Sequence, residues 1–165
     1  MSSNRQLDTL YRQVIMDHYK NPRNRGKIDD GSLTIHLNNP TCGDTISLQL
    51  QIEDDIVKNV KFIGEGCSIS LSSASMMTQA IKGKSIEEAL KLSKVFSEFM
   101  QGIAPPDDLD LGDIEALQGV CKFPARIKCA TLAWKAMEKA IEEKTNEVSV
   151  SDSHCGCEMK ENESK

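Results

Sequence analysis

The first element is predicted by residues that recur every three or four positions near the start of the chain. Leu7, Leu10, Val14 and His18 fall on one stripe of a helix with this period. The run NPRNRG that follows, residues 21–26, is rich in residues that favour turns. The pattern therefore predicts one amphipathic helix that ends before this run.

From residue 31 to residue 63 apolar and polar positions alternate, which is the period of a half-buried β-strand. An acidic turn at Asp54 and Asp55 separates the last two alternating runs. This arrangement predicts three strands in succession, joined by short turns. Their apolar members are Leu33, Ile35 and Leu37; Ile46, Leu48, Leu50 and Ile52; and Ile56, Val60 and Phe62.

Helical signals dominate the second half of the chain. A Ser- and Ala-rich stretch from Ser68 to Ile81 has helical length, and Ser85 with Glu88 three positions later forms a capping box. Further helices are expected from Ser85 to near Gly102, over 114–120 and from Pro124 onward. One helix, three strands and then helices predict an α+β fold, with helices packed on one face of a three-stranded antiparallel sheet.

Composition divides the 165 residues into a domain and a tail. Up to Glu143 the chain has enough apolar residues for one core, and after it the sequence is polar. We therefore expect a domain over 1–143 and a disordered polar tail over 144–165.

Charge and hydropathy exclude several classes of protein. Most of the formal net charge of −5 comes from the last 24 residues, from Glu142 onward, and the nearly neutral remainder offers no basic surface for nucleic acid. The apolar stretches are too short to cross a membrane, and the amino terminus lacks the apolar run of a signal peptide. These features predict a cytoplasmic protein, whose six cysteines are kept reduced.

Three of the cysteines occur where the predicted elements begin or end. Cys42 lies between the first two strands, Cys67 lies between the third strand and the next helix, and Cys129 lies early in the last helix. If that helix begins beside the two turns, three thiols meet the carboxylate of Asp44, a donor set suited to tetrahedral zinc. A position at a helix start also favours the thiolate form of Cys67.

Each of these residues also has a purely structural interpretation. Asp44 is compatible with ordinary turn chemistry, and Cys121 is interpreted as a small buried hydrophobe. The histidines of the predicted helix and strand, His18 and His36, are interpreted as packed or half-exposed side chains. In the tail, His154, Cys155 and Cys157 could hold a soft metal, but a disordered segment provides no rigid site.

Several motifs taken together resemble one protein family. NPTCGD, GEGCSIS, the Lys128–Cys129 pair and the opening LYRQVIMDHYKNPRNRG are similar to the SufU branch of the NifU/IscU-like family of iron–sulfur cluster assembly proteins. The resemblance extends to about Glu143, and the three cysteine motifs occur in the family's order. It implies a SufE/NifU-like α+β domain with a metal site at one end.

The resemblance also implies a site and an activity. The implied ligands of Zn²⁺ are Cys42, Asp44, Cys67 and Cys129, with Cys42 as the residue that accepts sulfur. The implied activity is that of a sulfurtransferase, which takes persulfide sulfur from a SufS-type cysteine desulfurase and passes it to a SufBCD-type scaffold. Three thiolates and a carboxylate would leave about −2 charge on the zinc centre, so we expect Arg126 or Lys128 to offset it.

Two other functions remain open from sequence. The same ligands would serve an IscU-like scaffold that assembles a [2Fe-2S] cluster or binds iron, although the IscU branch has His where this chain has Lys128. The long stretch between Cys67 and Cys129 also favours the SufU branch. The second alternative is a structural zinc-binding partner of the desulfurase that carries no sulfur. A monomer is expected in each case.

Overall fold

The computed structural model describes residues 2–28, 33–39 and 43–152. The predicted order of one helix, three strands and further helices is confirmed. The elements are α1 (Ser2–Lys20), β1 (Leu33–Asn39), β2 (Asp44–Glu53), β3 (Ile56–Glu65), α2 (Ser68–Ile81), α3 (Ile86–Phe99), a 3₁₀ helix (Gly112–Lys122) and α4 (Pro124–Asp152).

The strands form one antiparallel sheet in the order β1-β2-β3. Leu48 pairs with Ile35 on one side and with Phe62 on the other, so the apolar residues of all three strands share a face. That face is buried, whereas Ser47 and Gln49 on the opposite face are partly exposed. The predicted acidic turn is confirmed, with positive φ at Asp54 and Asp55 as tight hairpin turns require.

The helices cover the buried face of the sheet. Ser85 and Glu88 form the predicted capping box, in which each backbone N–H donates to the other residue's side chain at 3.1 Å. Trp134 of α4 stacks on Phe96 of α3, with ring centroids 4.6 Å apart. The α+β class with helices on one face is therefore confirmed. The largest side chains in this core include Trp134, Phe62, Phe96, Ile46, Leu48, Leu50, Met76 and Met77.

Two elements differ from the prediction. Gly112–Lys122 is a 3₁₀ helix that is longer than the short helix predicted over 114–120. The last helix continues past Glu143 to Asp152. The residues after Glu143 carry no apolar period of a helix, so no periodic signal predicts this extension. This part of the predicted tail is helical, and residues 153–165, including His154, Cys155 and Cys157, lie outside the described residues. The division of the chain into a domain and a tail stays a prediction.

Membrane spans were not expected. In residues 2–28, 33–39 and 43–152, no helix combines the length and the apolar character that crossing a bilayer requires.

Candidate metal centre

The strand register brings Asp44 and Cys67 together at one end of the sheet. Thr45, the second residue of β2, pairs with Glu65 at the end of β3, so Asp44 lies next to the connection from β3 to α2. The Asp44 side chain is fully buried, and its Oδ1 accepts a hydrogen bond from the Cys67 backbone N–H at 2.9 Å. The other carboxylate oxygen, Oδ2, lies 3.7 Å from Cys67 Sγ.

Gly66 allows this close approach. Its φ of +151° is unfavourable for other residues, and a Cβ at this position would overlap the Asp44 carboxylate. From the sequence Gly66 is expected only to end β3, so its role beside Asp44 was missed. The sequence GEG immediately before Cys67 is the signal that could have indicated a close approach of the backbone at Gly66.

Cys67 is the N-cap residue of α2. Its half-buried Sγ accepts a hydrogen bond from the Ser70 backbone N–H at 3.5 Å, in the place that a Ser or Asp side chain usually takes. The unpaired N–H groups and the dipole at a helix start stabilise negative charge. The Cys67 sulfur therefore lies at the start of α2, where the sequence places it.

Cys129 approaches from α4. It is fully buried, and its thiol lies 3.7 Å from the carbonyl oxygen of Ala125 in the preceding turn. Ser73 of α2 donates a hydrogen bond to the carbonyl of Ala130, the next residue, at 2.6 Å, and accepts one from the Trp134 indole at 3.1 Å. These two bonds hold the starts of α2 and α4 side by side.

Asp44, Cys67 and Cys129 thus converge on one point. One ligand atom from each residue lies within 4.8 Å of the other two. Two thiols and a carboxylate at this spacing fit a zinc ion, which binds thiolate and carboxylate ligands in four-coordinate sites. The three residues are therefore able to hold such an ion, and a four-coordinate zinc ion would take one further ligand.

Arg126 lies beside the two thiols. The pKa of its guanidinium is raised, mainly by the charge of Cys67, by a hydrogen bond with Cys67 and by the charge of Cys129. The Arg126 side chain is exposed, and Lys128 is exposed on the same helix. A positive charge therefore lies next to the sulfur atoms, where the sequence leads us to expect Arg126 or Lys128.

The remaining candidates lie elsewhere. Cys42 is outside the described residues, as are its neighbours 40 and 41. Cys121 is half-buried in the 3₁₀ helix and does not belong to the converging group. His18 is buried in a hydrogen-bond network, and His36 is exposed and bonded to Ser47 Oγ at 2.7 Å.

Comparison with known proteins identifies the family. A family model described as the NifU-like N terminal domain matches residues 10–130. The chain belongs to this family. All three converging residues fall inside the matched segment.

Named relatives of this NifU-like chain fall into two groups. A Bacillus subtilis (strain 168) protein named zinc-dependent sulfurtransferase SufU is 68 % identical over 141 residues, which cover 86 % of this chain and 95 % of the relative. A Streptococcus pyogenes serotype M1 protein named iron–sulfur cluster assembly scaffold protein IscU is 49 % identical over 146 residues, 88 % of this chain and 91 % of the relative.

Solved structures of NifU-like proteins have the same fold. A crystal structure from Fervidobacterium islandicum AW-1 is described as a candidate iron–sulfur cluster assembly scaffold protein for the SUF system. It superposes with a TM-score of 0.73 at 35 % identity, covering 77 % of this chain and 93 % of that one.

Proposed function

We propose that this protein is a zinc-dependent sulfur acceptor in iron–sulfur cluster assembly. It takes persulfide sulfur from a SufS-type cysteine desulfurase, passes the sulfur to a SufBCD-type scaffold, and acts as a cytoplasmic monomer. The observation that carries the proposal is the convergence of Asp44, Cys67 and Cys129 within 4.8 Å, in a chain that is 68 % identical to a protein named zinc-dependent sulfurtransferase.

Four residues hold the zinc ion in this proposal: Cys42, Asp44, Cys67 and Cys129. Cys42 precedes Asp44 by two positions, so chain geometry limits the distance between their Cα atoms to about 7 Å. The bound ion supplies redox-inactive Lewis acidity that keeps its thiol ligands deprotonated.

Cys42 is the residue proposed to accept sulfur. Cys129 is fully buried, and Cys67 is bonded into the start of α2, whereas Cys42 belongs to the connection between two strands. The Cys42 thiolate attacks the outer sulfur of the desulfurase persulfide. A new S–S bond forms on Cys42, the donor's S–S bond breaks, and the donor cysteine leaves as a thiolate, so no oxidant or reductant is required.

Cys42→Ala tests this assignment. We expect the variant to lose stimulation of desulfurase turnover, because the thiol that removes the persulfide is absent. Mass spectrometry of the unsubstituted protein after turnover should find one extra sulfur on Cys42. Cys121→Ala is the matched control, since Cys121 lies outside the converging group and its loss should leave stimulation intact. Stimulation that survives in Cys42→Ala would contradict the assignment.

The IscU-like scaffold is the alternative, supported by the 49 % identical relative that carries this name. Metal analysis of the purified protein separates the two functions. About one zinc per chain with strong stimulation of the desulfurase supports sulfur transfer. Bound iron with visible colour, little stimulation and transfer of a cluster to an acceptor would support the scaffold. Zinc without sulfur on Cys42 would instead indicate a structural zinc-binding partner.

A further inference from the structure

Ser70 carries a hydroxyl that has no hydrogen-bond partner among the described residues, although the side chain is fully buried. A buried hydroxyl without a partner is unfavourable, since it has lost its bonds to water. The Ser-rich composition of α2 does not explain why the Ser70 hydroxyl has no partner, because other serines of this helix are hydrogen-bonded. Ser72 and Ser73 donate to backbone carbonyls, and Ser75 bonds His18. Ser70 therefore differs from its neighbours by its position.

That position is close to the candidate metal centre. Ser70 is the third residue of α2, and its backbone N–H already donates to Cys67 Sγ at 3.5 Å. A serine Oγ lies about 3 Å from its own nitrogen, which places the hydroxyl within roughly 6.5 Å of that sulfur. Helical side chains also tilt toward the helix start, which is the direction of Cys67.

The packing of α2 against α4 also indicates that Ser70 lies near the sulfur atoms of Cys67 and Cys129. Ser73, one turn after Ser70 on α2, donates to the carbonyl of Ala130, the residue after Cys129. Ser70 consequently lies one turn nearer the helix starts, where the sulfur atoms of Cys67 and Cys129 meet. A thiol is a weak acceptor, but a thiolate is a charged and much stronger one.

We infer that Ser70 is a positioning residue of the metal centre, whose hydroxyl donates a hydrogen bond to the metal-bound sulfur of Cys67 or Cys129. This inference rests on the proposed function, because it requires that the centre holds a metal ion. Hydrogen bonds to ligand atoms orient them and adjust their basicity. The Ser70 hydroxyl has no partner in the structure, and a metal-bound sulfur of the centre would supply one.

Ser70→Ala tests the inference, since alanine is a good helix former and removes only the hydroxyl. Metal-free Ser70→Ala should melt a few degrees higher than the unsubstituted protein, because the unpartnered group is gone. Its affinity for Zn²⁺, measured against a chromophoric chelator, should fall by about tenfold or more. In the Co²⁺ form, the sulfur-to-metal absorption band should move to longer wavelength, because the thiolate loses a hydrogen bond.

Ser72→Ala is the matched control, because the Ser72 hydroxyl bonds the carbonyl of Ser68 within the helix. It should leave the Zn²⁺ affinity and the Co²⁺ band unchanged. A Ser70→Ala variant with unchanged affinity and spectrum, or with equal loss of stability in both forms, would overturn the inference alone. If the unsubstituted protein binds neither ion, the proposed function fails, and the inference fails with it.

Discussion

Two contacts connect the side chain of Asp44 to Cys67. The Asp44 carboxylate is fully buried, yet it accepts the Cys67 backbone N–H on one oxygen and has the Cys67 sulfur 3.7 Å from the other. Because Gly66 has no side chain, the Asp44 carboxylate fits against the backbone at this position. A buried carboxylate without such partners would be costly, so these contacts stabilise the buried Asp44 side chain.

Arg126→Gln should weaken zinc retention, because the guanidinium lies beside Cys67 and Cys129 and offsets the negative charge of the centre. The side chain is exposed, so the effect is limited to a few-fold, roughly the range measured for exposed ion pairs. Competition with a chelator at low and high salt measures it, and the difference should shrink at high salt.

Lys128→Gln is the control for Arg126→Gln, since it removes the same charge from an exposed position two residues along α4. We expect a smaller effect from it. Equal retention of zinc by both variants and by the unsubstituted protein would show that neither side chain offsets the charge.

Among the helices, α1 is attached to the rest of the domain by a polar contact in its last turn. His18 Nδ1 lies 2.7 Å from Ser75 Oγ of α2, and His18 Nε2 lies 2.8 Å from Asp113 of the 3₁₀ helix. The Ser75 oxygen also accepts the backbone N–H of Arg23 at 2.8 Å, which anchors the turn that follows α1. One imidazole therefore connects α1, α2 and the 3₁₀ helix.

His18→Ala should lower the free energy of unfolding by about 3 kcal/mol, because it removes two hydrogen bonds and leaves a buried cavity. Urea denaturation measures this change. His36→Ala is the matched control, because His36 is exposed on β1 and its loss should cost no more than about 0.5 kcal/mol. Equal effects of the two substitutions would mean that the network does not stabilise the fold.

In the whole molecule, the candidate centre is the place where sheet and helices are joined. Asp44 belongs to β2, Cys67 caps α2 and Cys129 lies in α4, so a single ion would connect elements that are far apart in sequence. Such an ion binds the folded chain and not the unfolded one, which couples its affinity to stability.

Removal of the metal should therefore lower the melting temperature. With free zinc at one thousand times the dissociation constant, binding contributes about 4 kcal/mol. For a protein of this size that corresponds to roughly 10 °C. Calorimetry before and after treatment with a chelator measures the shift. The melting temperature of Cys67→Ala should respond much less to the chelator, and an unchanged value for the unsubstituted protein would contradict convergence of the ligands on one ion.

Local patterns in the sequence were sufficient for most of the elements. Alternation predicts β1, β2 and β3, and the capping box predicts the start of α3, because these signals depend on residues within a few positions of one another. The end of α4 was missed, since a polar helix has no apolar period to mark where it stops.

The sequence by itself determined the α+β class and, through the motifs around the cysteines, the family. The tertiary structure decided which side chains meet. The β2–β3 register places Asp44 beside Gly66 and Cys67, and the packing of α2 on α4 adds Cys129. These are contacts between residues distant in the chain, on which local periodicity carries no information. The same reason explains why Gly66 near Asp44, and the unpartnered hydroxyl of Ser70, became apparent only in the folded protein.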